Sequence, residues 1–311
     1  MKHSLELHGV LVVDKPAGMT SAAVVGNVRR RIGLRTAGHT GTLDPMATGV
    51  LPVCLGAATK LAQWLIADDK AYEAELQLGL ETDSHDLAGA VIRRDPDAAA
   101  RVDEAALRAA LAGLTGEQAQ VPPMYSAIKQ QGVRLHELAR AGVEVDRAPR
   151  PVRIDRLVLL GFAPPRARIA IACSKGTYVR SLVRDLGDRL GCGATLTHLR
   201  RTASGQFTLD GAVPLHRLDR AAAEAHIVPA ARATGLASVV VAAADVALVR
   251  DGRRLDPEVF APGIGDGRYQ LVTEAGEVLA IAERAGDQIS LHRVLAPIAG
   301  MPRVPRPITR P

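Results

Sequence analysis

Ala37-Gly38-His39-Thr40-Gly41-Thr42-Leu43-Asp44-Pro45-Met46-Ala47-Thr48-Gly49-Val50-Leu51-Pro52 is the least ordinary stretch of this 311-residue chain. Between Ala37 and Gly49 it holds three glycines, one proline and one carboxylate, and no hydrophobic period. It reads as a loop. Pro45 restricts Asp44 to extended or polyproline-like angles. The glycines let backbone approach a ligand closely. Taken alone, the pattern is equally well served by a tight turn in which Asp44 bonds its own backbone. No Gly-Lys-Ser/Thr follows the glycines, which excludes a phosphate loop. The chain has no Gly-x-Ser-x-Gly either, which excludes a hydrolase elbow.

Upstream, His8–Val13 predicts a strand that runs into a turn at Pro16 and Gly18. Thr20 or Ser21 can cap the helix that follows, with Val24, Val25, Val28 and Ile32 on one face and Gly33 as its stop. Downstream, Leu61, Trp64 and Leu65 predict a short helix and Tyr72–Leu80 a strand. Leu107, Ala110, Leu111 and Leu114 mark a helix ending near Gly113 or Gly116. Residues 121–150 read as irregular and basic. Val152–Leu160 and Ala167–Cys173 alternate like strands, and Val179–Leu190 is the strongest helical stripe, stopped by Gly191. Past an Ala/Val-rich region at 220–250, Tyr269–Thr273 and Glu277–Ala282 flank a hairpin turn, and Gln288–Leu295 is one more strand. Met301–Pro311 reads as a frayed tail.

The composition, 47% hydrophobic and 23% charged, supports a sizeable core and excludes wholesale disorder. The net charge of +6 permits a polyanionic partner without demanding one. Three cysteines, an odd and widely spaced set, argue against a disulfide framework or a zinc cluster and for a reducing, cytoplasmic setting. No segment has the roughly 20 apolar residues of a membrane span. Met1–Glu6 has no signal-like apolar run. Aromatics are only 3% of the chain, so a nucleic-acid surface built on many stacked aromatics is disfavoured. Lys129–Arg156 carries seven Lys/Arg against four Asp/Glu, and Cys173–Thr202 six against two. These two segments are the candidate phosphate-tracking surface. Asp83, His85 and Asp86 are too weak a set to predict a metal.

The loop closely resembles the Gly-His-x-Gly-x-Leu-Asp-Pro-x-Ala-x-Gly signature of TruB-type pseudouridine synthases, bacterial enzymes that form pseudouridine at position 55 in the T loop of transfer RNA. The resemblance continues in order from about residue 8 to about 205. It includes Asp14-Lys15-Pro16-Ala17-Gly18-Met19-Thr20-Ser21, Tyr72, Thr82-Asp83-Ser84-His85-Asp86 and Pro123-Met124-Tyr125-Ser126-Ala127 with Lys129. It ends with Cys173-Ser174-Lys175-Gly176-Thr177-Tyr178-Val179-Arg180 and Leu199-Arg200-Arg201. Ser84 departs from a more typical Thr.

The resemblance implies an α+β pseudouridine synthase fold with a mixed, largely antiparallel sheet. It implies a catalytic domain over 1–230 with a mobile RNA-clamping insert at about 122–150. A small β-rich PUA-like RNA-binding domain over 231–300 and a flexible tail at 301–311 complete the expected organisation. It makes Asp44 the nucleophile, Arg180 its charge partner and Tyr72 the residue against the target uracil. It makes His39 the wedge that fills the space of flipped bases, with Leu199 and Tyr178 walling the pocket. Lys15, Asp86 and Lys129 join the RNA-binding set. The reaction is an isomerisation, so no nucleotide cofactor and no metal are expected, and the expected partner is the T stem-loop of tRNA, bound by a monomer. Two rivals share these residues: a guide-RNA-dependent relative, and an RNA chaperone in which catalysis is secondary.

Overall fold

The computed structural model describes residues 7–66, 69–253, 255 and 264–295. The expectations for Met1–Glu6 and for the tail from Met301 lie outside the described residues. The first strand, β1 (Gly9–Lys15), leads through a turn to α1 (Ser21–Ile32). The Thr20 hydroxyl accepts from the Ala23 N–H and so is the cap, while Gly33 stops the helix at φ 68°. Then come β2 (Thr48–Leu55), β3 (Lys70–Leu78), α2 (Glu104–Ala112) and β4 (Gly116–Gln120). The long pair β5 (Arg150–Ala163) and β6 (Arg166–Cys173) follows, then α3 (Val179–Arg189), β7 (Ala194–Ser204) and the short β8 (Val213–Pro214).

These strands form one sheet in the order β8-β1-β2-β7-β3-β6-β5-β4. Only β8–β1 and β2–β7 are parallel neighbours; the others are antiparallel. The architecture is therefore α+β with a mixed, largely antiparallel sheet. Leu11 and Val13 of β1, Leu51 and Val53 of β2, and Leu76 and Leu78 of β3 pack with the apolar faces of α1, α2 and α3. On the opposite face, Val10 and Val12 of β1 and Val50 and Cys54 of β2 meet a second cluster with Leu61 and Leu65. That cluster also takes Val272, Val278 and Ile281 from a smaller sheet of β9 (Ala237–Val240), β10 (Gly267–Val272), β11 (Val278–Ala285) and β12 (Gln288–Val294).

The quoted loop is shorter than expected. Ala37–His39 pairs with β2, and Thr48 already begins β2. Because β2 is buried on both faces, it has no polar/apolar alternation to reveal it. Residues 121–149 are also not irregular throughout. They hold a hairpin, Lys129–Gln130 with Val133–Arg134, and a one-and-a-half-turn helix, Leu135–Arg140.

The sheet register assembles the site. Arg201 of β7 lies opposite Gly49 of β2 on one side and Tyr72 of β3 on the other. A Cβ at Gly49, whose φ is +100°, would sit 2.2 Å from the Arg201 carbonyl oxygen. Only glycine lets the end of the Asp44 loop approach β7 this closely.

Candidate active site

Asp44 sits in a loop whose backbone is held from two sides. The Ser21 hydroxyl, at the start of α1, accepts from the Leu43 N–H (2.8 Å) and donates to the Leu43 carbonyl (3.1 Å). Lys15, at the end of β1, donates its ammonium to the carbonyls of Pro45 (3.1 Å), Ala47 (2.6 Å) and Pro16 (2.9 Å). The Ala47 N–H closes a turn on the Asp44 carbonyl. With its backbone so fixed, the Asp44 carboxylate is free to point away from its own turn.

It points at Arg180. The guanidinium donates from Nε to Oδ2 (2.8 Å) and from Nη2 to Oδ1 (3.0 Å), a two-pronged ion pair between residues 136 apart in the chain. Arg180 is 4% exposed and Asp44 31%, so the cation is sealed in and the anion keeps one side open. Arg180 also donates to the carbonyls of Ser84 (3.1 Å) and Tyr125 (2.8 Å). Four hydrogen bonds from a planar five-donor fork leave it little freedom to turn. Its position in the first turn of α3, unfavourable for a cation by the helix dipole, is offset by these oxygens. Asp86 lies 3.7 Å from the Arg180 Nε. Its Oδ1 accepts from the Ser84 hydroxyl (2.6 Å) and the Ala88 N–H (3.0 Å). Asp83 accepts from the Ala90 N–H (2.8 Å). The Thr82–Asp86 segment thus spends its polar groups on a tight turn that presents Asp86 to Arg180. Among the described residues, no group of three or more His, Cys, Asp or Glu is placed to hold a metal.

The open side of Asp44 faces a cleft of about 970 Å³, near the upper end of small-ligand pockets. Tyr72, Asp86, Tyr178, Arg180, Leu199 and Arg201 are among the residues that line it. Burial pushes the Tyr72 phenol above its ordinary value, and the adjacent Arg201 only partly counters this. The hydroxyl therefore keeps its proton at neutral pH. Burial likewise raises the Tyr178 phenol, with opposing contributions from the Ser126 hydroxyl and Arg180. Gln120 fixes the Tyr178 backbone by accepting from its N–H (2.8 Å) and donating to its carbonyl (3.1 Å). Leu199 is buried against the same space.

Residues 29–179 match the TruB family pseudouridylate synthase N-terminal domain, and residues 180–240 match the tRNA pseudouridylate synthase B C-terminal domain. The chain belongs to the TruB family. It is 50% identical to the tRNA pseudouridine synthase B of Aromatoleum aromaticum, over 84% of this chain and 86% of that one. It is 40% identical to that of Syntrophus aciditrophicus, over 96% of this chain and 98% of the relative. Among solved structures, a chain of a Cbf5-Nop10-Gar1 complex superposes with a TM-score of 0.71 at 27% identity, covering 93% of this chain and 85% of its own.

In this TruB family chain the fold brings together Asp44, Tyr72, Asp86, Tyr178, Arg180 and Leu199. It does not bring Lys15, His39 and Lys129 to the wall of the cleft. Lys129 is exposed on the insert hairpin. His39 is half-buried beside the loop, where its Nδ1 accepts a long bond from the Gly41 N–H (3.4 Å). Burial, and then Arg201, lower its pKa, so the ring is neutral. Lys15 is 1% exposed, with its ammonium occupied by three carbonyls. In this structure Lys15 holds the Asp44 loop through those carbonyls. Arg201 was not among the expected site residues. It is 1% exposed and donates to the carbonyls of Val50 (2.7 Å) and Gly41 (3.3 Å), tying the two ends of the Asp44 loop together. Strand alternation carried the signal, since Arg201 stands two residues beyond Leu199 and shares its face.

Burial, partly offset by Asp44, lowers Lys15 from 10.5 to about 8. The unfolded chain therefore binds more protons between these values, and this group makes folding more favourable as pH rises from about 8 to 10.5. The neutral amine has only two protons for three carbonyls, so the loop loosens as pH rises through about 8. Turnover is expected to fall with a midpoint near pH 8 while the melting temperature does not fall from this cause. A pH–rate profile alongside thermal melts checks it, and Lys15→Met should remove that limb.

Proposed function

We propose that this chain isomerises uridine to pseudouridine at position 55 in the T loop of transfer RNA, with Asp44 as nucleophile. The observation that carries the proposal is the Asp44–Arg180 pair: a carboxylate gripped at both oxygens by a sealed guanidinium, with one face open to a cleft walled by Tyr72 and Leu199. The isomerisation breaks the bond from ribose C1′ to uracil N1, turns the base and forms a bond from C1′ to C5. The C5 proton is lost to solvent and N1 gains one, so atoms balance without redox or phosphoryl chemistry. A carboxylate can attack the sugar or the base. Arg180 orients the Asp44 carboxylate through both of its oxygens; Tyr72 lies against the uracil and offers a protonated hydroxyl.

Reaching this site requires the base to leave its stack, at a cost of a few kcal/mol. His39, neutral and beside the loop, enters the RNA in its place. The insert at 122–150 closes over the bound loop, with Lys129 on its hairpin meeting phosphate. Residues 231–300 act as a PUA-like RNA-binding domain.

The test is release of tritium from unmodified tRNA carrying 5-tritiated uridine, with the purified chain and no guide RNA. Stoichiometric release that disappears when position 55 is changed to another base is expected. Release only with added guide RNA would favour the guide-dependent rival. RNA binding and refolding without release would favour the chaperone.

A further inference from the structure

A basic cluster lies outside the cleft and has no part in the site described above. Arg29, Arg30 and Arg31 form the last turn of α1, and Arg35 follows its Gly33 stop; all four are exposed. The Arg31 guanidinium rests on the carbonyls of Leu218 (3.2 Å) and His216 (3.5 Å). This holds the exposed Arg217 and His216 against the same helix end. None of Arg29, Arg30, Arg35 and Arg217 has a carboxylate partner among the described residues; Arg30 reaches only the Asn27 side chain. The neighbouring carboxylates are already used. Asp219 caps the next helix through the Ala222 N–H (2.8 Å), and Glu224 pairs with Arg220.

Compensation of the helix dipole accounts for cations in the last turn of α1. It does not account for Arg35 or Arg217, which lie outside the helix. Arginines without carboxylate partners clustered around one helix end repel each other, and phosphate oxygens relieve that repulsion with two-pronged hydrogen bonds. The patch is also rigidly placed. Thr20, which caps the other end of α1, lines the cleft, and Ser21 bonds the Asp44 loop directly. Twelve residues of helix at 1.5 Å each put the patch about 18 Å from the cleft mouth. A nucleotide in the cleft cannot reach that far, but the rest of the same RNA can. Once a loop is seated, the phosphates of its own molecule are present at high effective concentration, which favours RNA over an acidic protein or an anionic membrane.

We propose that the Arg29, Arg30, Arg35 and Arg217 patch grips the sugar–phosphate backbone of the tRNA outside the stem-loop that enters the cleft. This rests on the proposed function, whose own test is turnover by wild type. The patch is tested by binding, with the full chain carrying Arg29→Glu and Arg30→Glu together. Affinity for full-length unmodified tRNA should fall about tenfold, and the slope of log affinity against log salt should flatten by about one to two. Affinity and turnover on an isolated T stem-loop RNA should stay as in wild type, which also shows that the variant is folded. Arg29→Lys with Arg30→Lys should retain full-length binding. Unchanged full-length binding overturns the proposal, and so does an equal loss on both RNAs. Loss of binding to anionic phospholipid vesicles with RNA binding intact overturns it in favour of a membrane contact.

Discussion

Asp44→Asn should lower tritium release by ~10⁴-fold or more while leaving the Kd for tRNA within about threefold of wild type. Removal of a single essential nucleophile in other enzymes costs on this scale. The substitution keeps the size of the side chain and its acceptor oxygen but removes the charge. The loop itself should survive, because Ser21 and Lys15 hold its backbone rather than the Asp44 side chain. RNA affinity should survive because phosphate contacts supply most of it, and the exposed cations are untouched. The stability cost falls on Arg180, which keeps the Ser84 and Tyr125 carbonyls and Asp86 at 3.7 Å but loses its two-pronged anion. A lower melting temperature is therefore expected beside a retained Kd. Filter binding and tritium release on one preparation check both.

Arg180→Lys should cost about 10²–10³-fold in kcat with little change in KM, the size of loss seen when one preorganised donor is removed from a reacting centre. Lysine retains the charge. It cannot grip both Asp44 oxygens and two backbone carbonyls at once, because its ammonium is a single point on a flexible stem. The outcome separates orientation from charge. A lysine variant within about fivefold of wild type would mean that a nearby cation suffices. Arg180→Met should be worse in both activity and melting temperature, since it leaves Asp44 facing a sealed apolar residue.

The sequence and the structure agree best where one face of an element is buried. The stripe on α1 and its Thr20 and Gly33 boundaries, and the alternation of β5 and β6, follow directly from side-chain period. β2 was hidden because both its faces are covered and it carries Gly49 and Pro52, which argue against a strand when read locally. β7 was hidden for a different reason. Its Thr-His-Leu-Arg-Arg run looks solvated, yet Arg201 is sealed beneath the Asp44 loop. The pairing of Asp44 with Arg180 was legible only through the family resemblance. No local period links residues 136 apart; the register of β2, β7 and β3, with α3 packed across them, brings them together. The part Lys15 plays in the loop was not legible locally, because the three carbonyls that its ammonium meets come together only in the fold.

The central claim, that the Asp44 carboxylate performs the isomerisation, is tested most directly by single-turnover tritium release with enzyme in excess over tRNA. This removes binding and product release from the comparison of wild type with Asp44→Asn. Complete release by wild type and none above background by the variant, with the variant's RNA fully bound, is the predicted result. Release by the bound variant within tenfold of the wild-type rate would contradict it.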